Sequence, residues 1–303
     1  MHISDYFTAA ELQEFNTSSD VLAMLQVVSS WLLIWASFLV VYWMPNLITV
    51  LLALFVIGGR QLGLAVLMHD AGHRSLFASK RLNEIVGQWL CAYPVFAELE
   101  TYATSHRRHH AQAGSEDDPD LPNYRSYPVE RASFKRKIIR DLTGQTGYKA
   151  IQGLIQQGSD ITVQTGAGRS RNHTVNALLV NLGLWLLLSV FLSGWLYLLW
   201  FGAWLTTFTF WSRIRQVAEH GAVSDLYDPD PRKHTRTTLV NRLERVFLSP
   251  HYVNYHCEHH FAPTVPCYRL RDFHLALVKK GFYREHTSAL SHGYAQVIKN
   301  AVG

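Results

Sequence analysis

His69-Asp70-Ala71-Gly72-His73, His106-Arg107-Arg108-His109-His110 and His256-Cys257-Glu258-His259-His260 hold eight of the 16 histidines of this chain. Their spacings read HxxxH, HxxHH and HxxHH. On a helix, positions i, i+3 and i+4 share one face. Each run therefore aims its imidazoles at one point. Imidazole is the commonest side-chain metal ligand and suits zinc, copper, iron and nickel. Eight such ligands are too many for one tetrahedral zinc and about right for two metals. A lone histidine is usually a surface or satisfied core residue; three clusters at helical spacing are not.

The segments beside these runs are apolar. Of the 303 residues 48% are hydrophobic and only 17% are charged, low for a soluble protein. Residues 21–43 are long enough to span hydrocarbon. Pro45 and Asn46 make a turn, and residues 47–68 form a second span. Arg60 interrupts that span and is costly there, so it should face the protein interior or a polar partner. Residues 174–193 and 195–211 make a second pair, joined at Ser193-Gly194. The first histidine run begins where the second span ends. The expected fold is an all-α membrane protein: four transmembrane helices in two hairpins, with a cytoplasmic helical cap carrying the metal site. The whole chain, 1–303, reads as a single domain.

Charge sets the orientation. All 28 Lys and Arg except Arg60 lie in 69–173 or 212–303, and the two hairpin turns carry none. By the positive-inside rule both large segments face the cytoplasm. All three histidine runs and both termini then lie on that side of an inner, cytoplasmic membrane. Residues 1–20 lack a basic region followed by an apolar core, so no cleaved signal peptide is expected. Cys91, Cys257 and Cys267 give no even framework and no CxxC, which fits reduced thiols. Residues 82–99 are apolar but interrupted by Glu84, Gln88, Pro94 and Glu98, as in a helix lying at the membrane interface. Residues 141–173, rich in Gly, Gln, Thr and Ser, read as a mobile cytoplasmic loop ending in disorder near 164–171.

The three runs, their order and their places beside long apolar segments resemble the membrane fatty acid desaturase superfamily, from about residue 20 to about 275. Asn254-Tyr255-His256-Cys257-Glu258-His259-His260-Phe261-Ala262-Pro263 resembles the third histidine box and its flank in many acyl-lipid desaturases. The continuation Val265-Pro266-Cys267-Tyr268-Arg269-Leu270 and the short length look most like a compact bacterial branch that includes enzymes related to dihydrorhizobitoxine desaturase.

The resemblance implies two irons, with dioxygen as co-substrate. The implied ligands are His69, His73, His106, His109, His110, His256, His259 and His260. It also implies a further ligand near the end of the fourth span, where His220 stands, with Gln216 one turn before it. Cys257 reads as a spacer. His173, His234, His251, His274, His286 and His292 have no spacing partner. Metal-bound imidazole needs a group on its other ring nitrogen. Asp70, Glu258 and the run Glu116-Asp117-Asp118-Pro119-Asp120 are candidates, although a solvated turn explains the acidic run equally well.

Such an enzyme would desaturate a fatty acyl or lipid-like chain. A sister hydroxylase or ketolase acting on an alkyl or isoprenoid substrate is the alternative. A non-enzymatic membrane metal carrier is a third reading, but carrier sites sit near the midplane within interrupted helices. Trp204, Phe208 and Trp211 are candidate substrate-lining residues, or an ordinary aromatic belt. The chain carries no iron–sulfur, haem or nucleotide motif, so electrons should come from a separate ferredoxin-like or cytochrome-like donor. Arg107, Arg108, Lys135, Arg136 and Lys137 offer it a basic docking face, or meet anionic lipid instead. Nothing in the motifs points to nucleic acid.

Overall fold

A computed structural model describes residues 2–157 and 171–303. The chain enters through α1 (Ala9–Asn16). Thr8 caps it by accepting from the Glu11 amide, while the Glu11 carboxylate accepts from the Thr8 amide at 2.8 Å. This reciprocal pair satisfies two of the donors that a helix start leaves free. In α2 (Asp20–Trp43), residues Ala23, Val27, Ser30, Ile34, Ser37 and Val41 are buried, a stripe at three- and four-residue spacing. Its other face exposes Leu25, Leu32, Leu39 and Val40. An apolar outer face is the reverse of a soluble helix and suits lipid.

Asn46 starts α3 (Leu47–Gly72) by accepting from the amides of Ile48 and Thr49 at 3.0 and 3.1 Å. At 1.5 Å per residue, about 20 residues cross a hydrocarbon core. The 26 residues of α3 therefore exceed a crossing by more than one turn, and the surplus carries the first histidine run. Arg60 is buried, as expected, and donates to the Val246 carbonyl. At Gly58 a Cβ would stand 2.2 Å from Thr207 Oγ1 and 2.8 Å from Phe208 N. Only a glycine lets that neighbouring backbone approach so closely.

The stretch expected at the interface is helical throughout most of its length. α4 (Lys80–Val86) continues through a π-helical turn, Gly87–Ala92, and a 3-10 turn, Tyr93–Val95. Ile85, Trp89 and Leu90 point outward, while Cys91 to Val95 are buried. The second histidine run lies in α5 (Leu99–Gln112), capped by the Glu98 carboxylate on the Glu100 and Thr101 amides. Short α6 (Leu121–Tyr124) and α7 (Arg131–Leu142) follow.

The expected loop over 141–173 is corrected in its first half. α8 (Gln145–Gln157) occupies it. Its Gly147 lies so near Leu205 that a Cβ would meet the Leu205 carbonyl oxygen at 2.5 Å. Ala150, Ile151 and Leu154 pack on the core. Close docking thus supplies the order that the composition alone does not. The disorder expected near 164–171 lies outside the described residues, except that Arg171 begins α9 (Arg171–Phe191).

The expected helix 195–211 is also divided. A 3-10 turn, Gly194–Leu196, leads into α10 (Tyr197–Leu205), and α11 (Thr207–His220) follows a break at Thr206, φ −117° and ψ −80°. The hydroxyl of Thr207 donates to the Leu54 carbonyl on α3 at 2.6 Å; the hydroxyls of Thr206 and Thr207 also donate to the carbonyls four residues back, Gly202 at 2.6 Å and Ala203 at 3.3 Å. Such back-bonding bends helices. Among the described residues, three helices are long and apolar enough to cross a membrane: Asp20–Trp43, Leu47–Gly72 and His173–Phe191.

Beyond α11 come α12 (Pro231–His234), β1 (Thr237–Leu239), α13 (Arg242–Phe247), α14 (His256–Phe261), α15 (Leu270–Lys279), β2 (Leu290–His292) and α16 (Tyr294–Ala301). β1 and β2 pair in parallel, with Thr238 opposite Ser291. The all-α expectation thus needs a small correction, since this two-stranded sheet ties the final helix to the strand before α14. Each strand is three residues long, too short for an alternating pattern to show in sequence.

Candidate metal centre

Four helix ends converge on one volume. α3 brings His69 and His73, α5 brings His106, His109 and His110, α11 brings His220, and α14 brings His256, His259 and His260. They form two groups in which one donor atom per residue lies within 4.8 Å of every other. One group is His69, His73, His106, His110 and His259; the other is His109, His220, His256 and His260. All nine expected site residues are brought together, including His220.

Hydrogen bonds fix which nitrogen carries the proton. His69 Nδ1 donates to Asp70 at 2.9 Å, and His109 Nδ1 donates to Asp118 at 2.8 Å. His220 Nδ1 donates to the His234 carbonyl at 3.0 Å. The Nε2 atom of each neutral ring then holds only a lone pair. Yet His69 Nε2 faces His259 Nε2 at 2.9 Å, His109 Nε2 faces His260 Nε2 at 3.2 Å, and His220 Nε2 faces His256 Nε2 at 2.9 Å. His110 Nε2 faces two partners, His106 and His259, at 3.0 and 2.9 Å. One proton cannot serve both.

A cation resolves this crowding. With metal–nitrogen bonds of about 2.0–2.1 Å, donors at right angles stand about 2.9 Å apart, and tetrahedral donors about 3.4 Å apart. The observed spacings lie in that range. Without a cation, each unpartnered buried acceptor costs about 1–3 kcal/mol. The residues present therefore fit two metal ions.

Electrostatics agree with neutral, ligand-ready rings. Burial, assisted by neighbouring imidazoles, pushes His106, His110, His220, His256, His259 and His260 well below the ordinary histidine pKa. His109 is the exception. Burial opposes its charge, but the hydrogen bond and negative charge of Asp118 outweigh burial and raise its pKa.

The acidic candidates separate cleanly. Asp70 spans two elements, accepting from His69 and, at 2.7 Å, from the Cys267 amide. Asp118 also accepts from the Asp120 amide at 2.9 Å and from the Tyr124 hydroxyl. Glu116 and Asp117 contact no histidine of either group. Glu258 is a correction: it accepts from Thr237, His274 and Tyr283 instead. On a helix, position 258 lies about 200° from 256, so its side chain leaves the face that 256, 259 and 260 share.

Two residues at the site carried no sequence signal. Glu219 Oε1 stands 3.5 Å from His256 Nδ1 and pairs with Arg215. Burial raises its pKa to about 7, against the pull of Arg215. His234 supplies the carbonyl that holds His220, and its own ring packs on His260 at 5.5 Å between centroids. Among the histidines set aside, His251 and His274 are buried in hydrogen bonds away from both groups, to Ser30 and Gln26 and to Glu258.

A cavity of about 600 Å³ opens against the second group. His106, His109, His220 and His256 form part of its wall, and Leu62, Met68, Trp204 and Phe208 supply apolar surface. Gln216 lines it too. Trp211 does not; its indole N–H donates to the Phe55 carbonyl at 3.0 Å.

Comparison with known proteins places this architecture. The chain is similar to dihydrorhizobitoxine desaturase of Bradyrhizobium elkanii, 29% identical over 72% of this chain and 65% of that protein. It is similar to the sn-1 acyl-lipid omega-3 desaturase (ferredoxin) of Nostoc sp. (strain 36), 29% identical over 41% of this chain and 30% of that protein. A beta-carotene ketolase of Paracoccus sp. (strain N81106 / MBIC 01143) is 28% identical over 69% of this chain and 72% of its own length. The chain thus spans less than two thirds of the first two relatives. The model of the family described as fatty acid desaturase matches residues 42–293, and the chain belongs to that family.

Proposed function

We propose that this protein is a dioxygen-dependent diiron desaturase that introduces a double bond into a fatty acyl or lipid-like chain. The observation that carries this reading is the convergence of nine imidazole nitrogens, in two groups, beside a partly apolar cavity. His69, His73, His106, His110 and His259 would hold one iron, and His109, His220, His256 and His260 the other. Bound there, the irons would supply the dioxygen activation needed to attack an unactivated C–H bond.

The chain's own residues do the positioning. Asp70 and Asp118 hold protons on the far ring nitrogens of His69 and His109, so that Nε2 stays free. Leu62, Met68, Trp204 and Phe208 would hold the apolar part of the substrate beside the second group. Thr209, Ser212 and Gln216 line the same cavity at helical spacing along α11 and would meet its polar part. Two hydrogens leave the chain, and two electrons arrive from a separate ferredoxin-like or cytochrome-like carrier. With two protons from solvent, they reduce one dioxygen to two waters. Arg107, Arg108, Lys135 and Arg136 are exposed and would attract an acidic carrier, more weakly at high salt.

The test is mass spectrometry of products from a saturated acyl substrate under labelled dioxygen, with a reduced carrier present. The expected product is lighter by two hydrogens, with the label in water. A product that itself carries the label would make this a hydroxylase or ketolase. Turnover with NADH alone, without any carrier, would remove the separate donor.

The same reading places the chain in the membrane as one catalytic domain with four crossings. The fourth crossing would run through α10 into the start of α11. Both termini and the metal site would be cytoplasmic. Single cysteines placed at Pro45 and Gly194 should be labelled from the far side of the membrane only. Labelling of either turn only from the cytoplasmic side would reverse the orientation.

A further inference from the structure

Three cations line the cavity beside the second histidine group: Lys149, Arg213 and Arg215. They are not equivalent. Lys149 is exposed, so solvent screens its charge. Arg213 is occupied by Asp141, to which both Nε and Nη2 donate. Arg215 differs from both. Its side chain is only 18% exposed, and Nε alone donates, to Glu219 Oε1 at 2.5 Å. Among the described residues its two terminal nitrogens have no hydrogen-bond partner.

A guanidinium carries five N–H donors in a flat fork. One goes to Glu219, and four remain on the terminal nitrogens. That pair of nitrogens meets a carboxylate or phosphate through two parallel bonds. The fork stands near the metal end of the cavity. Glu219 Oε1, the atom that holds Nε, is 3.5 Å from His256 Nδ1. Along α11, Arg215 precedes His220 by a rise of about 7.5 Å. Asp120 is the other carboxylate on the wall besides Glu219, and it lies toward His109, 3.9 Å from Nδ1. The fork therefore opens onto the cavity without an acid to fill it, while Leu62, Met68 and Phe208 line the same space with apolar surface.

We propose that the cavity takes a chain molecule ending in an oxyanion, a carboxylate or a phosphate, and that the Arg215 guanidinium binds that end. The proposal rests on the reading of this cavity as the substrate site and adds the charge of the substrate to it. A neutral ester or a plain hydrocarbon would leave the donors of a mostly buried cation unmatched. An oxyanion gains two charge-assisted hydrogen bonds there, which are the strong kind.

Binding can be measured without turnover. Full-length protein in phosphatidylcholine nanodiscs is dialysed to equilibrium against labelled octanoate, methyl octanoate or octyl phosphate, with protein-free nanodiscs as the reference. Wild type should bind octanoate or octyl phosphate at least about tenfold more tightly than the methyl ester. Arg215→Gln should lose that preference and keep its affinity for the ester. Arg215→Lys keeps a charge beside Glu219 but not the fork, and should retain only part of the preference. Whichever anion wild type binds more tightly assigns the end as carboxylate or phosphate. Both anions and the ester bound alike by wild type would overturn the proposal, and so would an anion preference that survives in Arg215→Gln. Failure here leaves the desaturase reading to its own isotope test, and a hydroxylated product in that test leaves the Arg215 assignment standing.

Discussion

His259→Ala should abolish turnover and lower the metal content of the purified chain by at least one ion. His259 Nε2 is the meeting point of the larger group, 2.9 Å from both His69 Nε2 and His110 Nε2. It is buried, so no solvent donor stands ready to replace it. Truncation leaves a cavity where a ligand stood, and the remaining four rings lose the donor that faces two of them. The expected fall in turnover is at least about a thousandfold, since the chemistry needs both ions positioned. Elemental analysis and product assay on the same preparation check it. His292→Ala, at an exposed histidine outside both groups, should leave both quantities near the wild-type level. Wild-type turnover by His259→Ala would remove His259 from the ligand set.

The second large effect is expected at a carboxylate that touches no metal. Asp118 is buried, and it holds the Nδ1 proton of His109 while accepting from Tyr124 and the Asp120 amide. Asp118→Ala frees the His109 ring to rotate and to place its proton on Nε2. Loss of such a partner typically costs about 10–100-fold in metal affinity. Chelator competition should show that loss at one of two ions. Asp118→Asn can still accept from Nδ1–H and should lose less. Asp117→Ala, at the exposed neighbour, should change nothing. Equal effects at 117 and 118 would mean that the acidic run acts only through its summed charge.

That contrast between neighbours marks where the sequence stopped being legible. The run 116–120 reads as four interchangeable acids and one proline, yet Asp118 and Asp120 face His109 while Glu116 and Asp117 face water. Only the path of the chain after α5 decides which. The box histidines were legible because their information is local: i, i+3 and i+4 on a helix need no knowledge of the rest of the fold. The long apolar helices α2, α3 and α9 were legible for the same reason, as was the burial of Arg60. The same periodicity argues against Glu258, which points away from its own box.

The remaining differences come from contacts distant in sequence. Residues 195–211 read as one apolar run, but Thr206 and Thr207 turn their hydroxyls back onto the Gly202 and Ala203 carbonyls and split it. α8 has only a short apolar stripe and gains its order by packing against α10 at Gly147. His234 had no spacing partner in the chain, since its partners, His220 and His260, arrive from α11 and α14.

The most direct test of the account is the metal content of active wild-type protein, purified intact in detergent and measured by elemental analysis against chain concentration. Two histidine groups predict two irons per chain. One metal or fewer per chain in a preparation that turns over would contradict the dinuclear centre.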